Sequence, residues 1–349
     1  MNNRIAKLVR FSICALLISI VGCRSISSPR LPAPLDREEA WAQDLKYLKE
    51  GFPRYNKSFD ADSLSAFDAI VGETLDSVPE LTDNEIYVKL LRAVATPGDR
   101  HTTINFAPSS QKLRRIPIRF YWFSDGLYVI RAAEEHADLL GARITEIGGV
   151  RPEVLVGRMR DLVSGSDSAL RYDSIYYLSS PDFLHGLGTI KEPDSVALQL
   201  ETLDGSVVSR EFDAMPVGEA IWGYESWREL SPLSAESMDA IDFKHVLENV
   251  SLPDYLSDPN RAAFSRIIAG GSVLYVQINK NTNLNSKMSN VAAQVKELFS
   301  SAPIDSVIVD LRFNTGGNLL LTTDLVKGIP EWHSGSGKIY IIVGGPTFS

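Results

Sequence analysis

Residues 310–317 read Asp-Leu-Arg-Phe-Asn-Thr-Gly-Gly, and residues 339–349 read Ile-Tyr-Ile-Ile-Val-Gly-Gly-Pro-Thr-Phe-Ser. Each stretch carries the sequence pattern of a buried strand that ends in a glycine-containing turn. A strand pattern at 273–278, a helical pattern at 288–299 and a second helical pattern from residue 319 complete a β-α-β-α-β series. Such alternation predicts a parallel sheet, and functional groups of parallel sheets gather at the carboxyl ends of the strands. We therefore expect the two glycines and Ser349 to meet at one edge of this sheet.

The chain ahead of this series divides into segments with different periodicities. Helical spacing and a capping box at Thr82 and Glu85 predict a helical domain over residues 36–110. Alternating apolar residues from about 115, and an Asp204-Gly205 hairpin turn, predict a β domain over residues 111–215. Residues 216–265 have no clear pattern and are interpreted as a connector to the 266–349 core. The fold class is therefore α/β in the core within a multi-domain α+β chain.

The N-terminus has the pattern of a secretory signal. Arg4, Lys7 and Arg10 precede an apolar run at 11–21 that is too short to span a bilayer. The run leads to Gly22-Cys23, which resembles the lipobox of bacterial lipoproteins. The resemblance implies a signal peptide at 1–22, a lipid anchor on Cys23 and a tether at 23–35. It also implies a place in the bacterial cell envelope, at the outer membrane. The alternative is an ordinary signal peptide whose cleavage site contains a cysteine.

Composition excludes some classes of function. The chain has 349 residues, 44% hydrophobic and 23% charged, which is typical of globular proteins. Its formal net charge of −9, without a basic cluster, argues against a nucleic-acid partner. Neither zinc-ligand spacing nor a phosphate loop is present, since Ile339 follows Gly335-Ser336-Gly337-Lys338 where a phosphate loop needs Ser or Thr. No cofactor is implied.

The two opening stretches resemble the tail-specific (C-terminal processing) serine peptidases, with their Asp-Leu-Arg-x-Asn-x-Gly-Gly loop and Thr-x-Ser turn. The resemblance extends over about 36–349 and is tightest from 273. It implies that Ser349 is the nucleophile and that Gly316 and Gly317 belong to the oxyanion hole, while Asp310 and Arg312 orient the loop. It also implies an incomplete crotonase-like core, and a PDZ-like β domain that captures a peptide; a plain β domain is the alternative.

A third segment resembles the family branch, including tricorn-like enzymes, that uses a histidine base. Residues 98–102 read Gly-Asp-Arg-His-Thr, similar to the Asp-x-His-Thr motif of that branch, which makes His101 the general base. Other family members use a lysine downstream of the serine. The remaining histidines have no such context and are assigned no role. A histidine pKa near 6.5 suits a base at neutral pH.

The resemblance implies a serine endopeptidase that cleaves polypeptides through an acyl-enzyme at Ser349. In the family, a second oxyanion donor and the acidic partner of the histidine follow the nucleophile. We therefore expect the chain as written to be inactive, with a carboxylate beside the nucleophile and an unpaired sheet edge. One alternative is a non-catalytic, peptide-binding envelope lipoprotein. Another is a carrier of small apolar ligands, whose mark would be a large apolar pocket.

Overall fold

The computed structural model describes residues 33–104, 113–217, 225–234, 242–284, 286–333 and 337–347. The predicted lipidation residue Cys23, with the predicted signal peptide, lies outside the described residues, and so does the predicted nucleophile Ser349. The described chain forms α-helical, antiparallel and mixed β structure, so the predicted multi-domain α+β class is confirmed.

The first part of the chain is helical. Its helices are α1 (Arg37–Tyr55), α2 (Ala61–Asp76) and α3 (Asp83–Ala95). The predicted capping box is present at the start of α3, where Thr82 accepts a hydrogen bond from the Glu85 backbone and the Glu85 side chain accepts one from Thr82. The three helices share a core that includes Leu45, Phe67 and Ile86, each almost fully buried.

The middle part is an antiparallel sheet with three helices packed against it. Its strands are β1 (Ile118–Phe123), β2 (Gly126–Ala133), β3 (Arg143–Ile147), β4 (Ser195–Glu201), β5 (Val207–Asp213) and β6 (Phe243–His245). The strands lie in sequence order from β1 to β5, and β6 pairs with β2. The helices are α4 (Pro152–Arg158), α5 (Asp167–Leu178) and α6 (Pro181–Gly186). They share one apolar core with the sheet.

The last part is a four-stranded sheet in the order β10-β9-β8-β7. Its strands are β7 (Ala263–Ile268), β8 (Val273–Ile278), β9 (Ser306–Asp310) and β10 (Ile339–Ile342), and its helices are α7 (Met288–Ser301) and α8 (Thr323–Trp332). The predicted parallel pairing of β8, β9 and β10 is confirmed. β7 pairs antiparallel with β8 and begins inside the predicted connector.

Helix α3 belongs to two cores. Its Ile86 faces the helical core, whereas Tyr87 and Leu91 pack in the core of the middle sheet. Among the described helices, none combines the length and the apolarity that crossing a membrane requires.

Candidate active site

The candidate site lies at the carboxyl ends of the parallel strands, where the chain leaves β8, β9 and β10. Asp310, the last residue of β9, is fully buried. Its carboxylate accepts hydrogen bonds from the Tyr275 hydroxyl at 2.7 Å and the Arg312 backbone N–H at 3.0 Å, and it pairs with the Arg312 guanidinium at 2.8 Å. Burial, followed by the bond to Asp310, raises the pKa of Tyr275. The paired carboxylate therefore fixes the start of the loop after β9.

The glycine loop is held by two asparagines. The Asn314 side chain accepts a hydrogen bond from the Gly316 N–H at 2.8 Å and donates one to the Asn281 side chain at 3.0 Å. The Asn281 N–H donates to the Gly316 carbonyl, also at 2.8 Å. Gly317 has φ +126°, and a Cβ there would lie 2.5 Å from the Asn281 carbonyl oxygen. Only glycine fits this position without displacing Asn281.

The two glycines differ in whether their backbone N–H groups are hydrogen-bonded. The Gly316 N–H is occupied by Asn314. The Gly317 N–H makes no hydrogen bond within the described part of the chain. If one N–H of this loop receives an oxyanion, the geometry therefore favours Gly317 over Gly316.

The turn after β10 is fastened to this loop. The Thr347 hydroxyl donates to the Leu311 carbonyl at 2.7 Å and accepts from the Gly344 N–H at 2.8 Å. Gly344 lies so close to the backbone of Arg312 that a Cβ would be 2.6 Å from the Arg312 carbonyl oxygen. The two stretches that resemble a peptidase core are thus in direct contact, and the second one continues from Thr347 toward Ser349.

His101 lies in the loop after α3, and its side chain is 65% exposed. Its backbone N–H donates to Asp99 Oδ1 at 3.0 Å, and its ring Nδ1 lies 3.4 Å from the same oxygen. Thr102 donates its hydroxyl to the other oxygen of Asp99 at 3.0 Å. The backbone bond from His101, and then the hydroxyl of Thr102, lower the pKa of Asp99. Asp99 is thus an ionised neighbour of the Nδ1 edge of the ring.

Helix α5 and the residues directly before it contact both the loop after α3 and the turn after β10. Arg100 pairs with Asp173 at 2.8 Å and packs against Gly165. Gly345, in the turn after β10, lies against the backbone of Ser168. Arg100, the neighbour of His101, and Gly345, four residues before Ser349 in the sequence, therefore contact the same short segment, although Ser349 itself is outside the described residues.

Two buried or half-buried charged residues were missed in the sequence. Glu225 accepts hydrogen bonds from Lys280 and from the hydroxyl of Thr315, within the glycine loop. Glu225 is in the predicted connector and has no motif around it, so no local signal identifies it. Lys280 follows the end of β8. Functional groups gather at the carboxyl ends of parallel strands, so its position could have been identified from the strand pattern.

An apolar cavity of about 330 Å³ lies beside the site. Its lining includes the polar residues Asn281, Asn314 and Thr347, together with apolar side chains from β8 to β10 and α8, among them Ile278, Leu311, Leu325, Ile329 and Ile341. Within the described residues, no group of His, Cys, Asp and Glu side chains is arranged to hold a metal ion.

Comparisons with known proteins show a likeness of fold. No family model matches the chain, and no curated protein sequence matches it. The structure of mature CPAF complexed with lactacystin matches with a TM-score of 0.51 and 12% identity, over 81% of this chain and 58% of that one. A second structure of mature CPAF matches with a TM-score of 0.48 and 14% identity, over 81% and 57% of the two chains. The chain thus spans less than two thirds of the CPAF chains, and it has a CPAF-like fold.

Proposed function

We propose that this protein is a serine endopeptidase that cleaves polypeptides through an acyl-enzyme at Ser349. The observation that carries the proposal is the attachment of the turn after β10 to the Gly316-Gly317 loop, through Thr347 and Leu311. Thr347, two residues before Ser349 in the sequence, is thereby attached to a loop with an available backbone donor. The CPAF-like fold, which is a serine-protease-like fold, supports the same class of reaction.

In the proposed mechanism, the Ser349 hydroxyl attacks the carbonyl carbon of the scissile peptide bond. His101 accepts the proton of that hydroxyl, and the carbonyl oxygen becomes an oxyanion that the Gly317 N–H stabilises. The C–N bond then breaks, and His101 returns the proton to the leaving amine. Water repeats the sequence on the acyl-enzyme and releases Ser349.

Asp99 supports this role of His101. A carboxylate near Nδ1 favours the tautomer with the proton on that nitrogen, which leaves Nε2 as the proton acceptor. The distance of 3.4 Å between Nδ1 and Asp99 is longer than a good hydrogen bond, and such bonds often tighten only when substrate is bound. In this proposal, Asp99 orients the ring of His101 for proton transfer.

The cellular setting is part of the proposal. The protein would be anchored in the bacterial envelope by lipid on Cys23, and the middle β domain would hold the polypeptide substrate by pairing with an extended segment of it. The intact mass of the native protein tests the anchor, because a chain that begins at an acylated Cys23 has lost residues 1–22 and gained the mass of its acyl chains. An unmodified N-terminus would contradict it.

The enzyme proposal is tested on the native protein isolated from its own cells, with a fluorophosphonate probe and with hydrolysis of unfolded casein. We expect the probe to label Ser349, and we expect Ser349→Ala to abolish both labelling and hydrolysis. His101→Ala should reduce hydrolysis by at least about a hundredfold, because general-base catalysis contributes that much. Ser300→Ala, at an exposed serine on α7, is the matched control and should match the wild type.

Two results would overturn the proposal. Labelling of a serine other than Ser349 would move the nucleophile, and full activity of His101→Ala would remove the base. If the native protein neither reacts with the probe nor hydrolyses casein, the peptide-binding lipoprotein would replace the enzyme.

A further inference from the structure

Glu225 is a buried carboxylate with a complete set of partners. Its residue is 8% exposed and lies directly before the short 3-10 turn Ser226–Leu230. The indole N–H of Trp227 donates to one of its oxygens at 2.6 Å. The other oxygen accepts from the Lys280 ammonium at 2.8 Å and from the Thr315 hydroxyl. These are charge-assisted bonds, which are stronger than bonds between neutral groups.

The partners of Glu225 adjoin the residues that shape the glycine loop. Thr315 directly precedes Gly316. Lys280 directly precedes Asn281, whose carbonyl accepts from the Asn318 N–H and whose N–H donates to Gly316. One carboxylate therefore connects the chain leaving β8 with the chain leaving β9, next to Gly316 and Asn281.

The neighbouring aromatic residues strengthen the same connection. The Trp227 ring stacks on Phe313, with 4.6 Å between ring centroids and 6° between the planes. Phe313 lies in the loop after β9, two residues before Thr315. The loop is thus held to the 225–230 segment by an apolar stack and by a hydrogen-bonded carboxylate.

The Lys280 ammonium is paired with the Glu225 carboxylate. A buried carboxylate without a compensating cation is costly, and the ammonium at 2.8 Å supplies that compensation.

We infer that Glu225 is a positioning residue that fixes the Gly316-Gly317 loop and thereby the direction of the Gly317 N–H. The inference rests on the proposed function only for its catalytic consequence. The effect on the loop itself is a property of the fold and can be measured without turnover.

The test measures hydrogen exchange, in the whole protein, of the Gly316 and Asn318 amides, which donate to the Asn314 side chain and the Asn281 carbonyl. Thr315→Val removes the hydroxyl and keeps the shape, and we expect exchange at both amides to accelerate about tenfold, as loss of a bond to a charged group predicts. Thr315→Ser keeps a hydroxyl and should return exchange to within about twofold of the wild type. Glu225→Gln should accelerate exchange as well, because the charge of the acceptor is lost. Thr202→Val, in the hairpin between β4 and β5, is the control and should change nothing at these two amides.

Measurements of kcat and KM then show whether the position of the loop affects catalysis. In the native protein, Thr315→Val should lower kcat about tenfold with KM within about twofold, and Thr315→Ser should restore kcat, because an oxyanion donor acts in the transition state. Unchanged exchange at the Gly316 and Asn318 amides in Thr315→Val and Glu225→Gln would overturn the inference, and so would an acceleration spread evenly over β8 to β10. If exchange accelerates in the variants but the wild-type protein has no activity, the inference about the loop stands. In that case only the proposed function is contradicted.

Discussion

Gly317 is the residue at which backbone conformation and close packing coincide. Its φ of +126° is strained for any residue with a side chain, and the Asn281 carbonyl occupies the space of a Cβ. We predict that Gly317→Ala lowers the free energy of unfolding by about 2–4 kcal/mol, the sum of backbone strain and displacement of Asn281. It should also abolish labelling of Ser349, because the loop and its donor move. Urea unfolding and probe labelling measure the two effects.

Gly205 offers a matched control for this prediction. It also has positive φ, at +82°, but a Cβ there would meet no atom within 4 Å. Gly205→Ala should therefore cost only the conformational strain, about 1–2 kcal/mol, and leave labelling unchanged. Equal losses of stability in the two variants would show that the contact with Asn281 does not contribute.

His245 illustrates a histidine with a structural role. Its ring is buried, accepts a hydrogen bond from the Leu247 N–H at 2.9 Å and donates from Nε2 to the Glu229 carbonyl at 2.9 Å. Burial, followed by the nearby charge of Arg131, lowers the pKa of His245 to about 4. No motif surrounds His245 in the sequence, and only the fold shows these two bonds.

The lowered pKa gives a pH dependence with a definite sign. The unfolded chain binds a proton at His245 below about pH 6.5, whereas the folded chain resists protonation until about pH 4, so stability falls as the pH falls through this window. Between pH 7 and 5, this group should remove about 2 kcal/mol of stability. We predict that His245→Gln is less stable at pH 7 and loses about 2 kcal/mol less than the wild type on going to pH 5. Urea unfolding at the two pH values measures this.

Between pH 7 and 8 the difference between the two proteins should be constant, since the histidine is neutral in both states. A difference that also stays constant down to pH 5 would contradict the prediction.

At the scale of elements, α5 connects the His101 loop to the rest of the site. Asp173 pairs with Arg100, the neighbour of His101. Burial raises the pKa of Asp173, and Arg100 opposes that rise. We predict that Asp173→Ala lowers the free energy of unfolding by about 1–3 kcal/mol, because it leaves a half-buried guanidinium without this carboxylate. Hydrogen exchange of residues 98–102 should accelerate, while the strands keep their protection.

The more exposed pair of Arg92 and Asp161 is the control for this element. Asp161→Ala should cost less than about 1 kcal/mol and leave residues 98–102 unchanged, as expected for a surface ion pair. If both variants behaved alike, α5 would have no special part in holding the His101 loop.

The elements also show which parts of the structure could be predicted from sequence. The capping box at Thr82 and the three parallel strands depend on neighbours in the sequence, and both were predicted. β7 pairs with β8 across the short connection 269–272, whose Gly270-Gly271 is a hairpin signal that went unrecognised. The pairing of β6 with β2 depends instead on distant segments without a short turn between them. Glu225 was missed for the same reason, since its Thr315 partner is 90 residues away and its own surroundings show no pattern.

At the scale of the whole molecule, the candidate site draws on all three parts of the chain. His101 follows α3, which is shared between the helical core and the core of the middle sheet. α5 belongs to the middle part, and the glycine loop belongs to the last sheet. α3 and α6 also approach so closely that a Cβ on Gly186 would overlap the Asn84 carbonyl. The first two parts therefore pack as closely as one domain would, which holds the His101 loop at a fixed place relative to α5.

Strand β10 carries exposed apolar side chains. Among the described strands, β10 pairs only with β9, and its Tyr340 and Ile341 are 51% and 65% exposed. An exposed apolar edge strand promotes association between molecules, because its unpaired backbone groups can bind another strand.

We predict that Ile341→Lys raises the concentration up to which the protein remains monomeric, as measured by light scattering over a dilution series. Leu203→Lys, which removes an 83% exposed apolar side chain from a hairpin turn, is the control and should have a smaller effect. If both variants stay monomeric to equally higher concentrations, general surface polarity and not the β10 edge governs association. A specific effect of Ile341→Lys would place the association surface on the sheet that carries the candidate site.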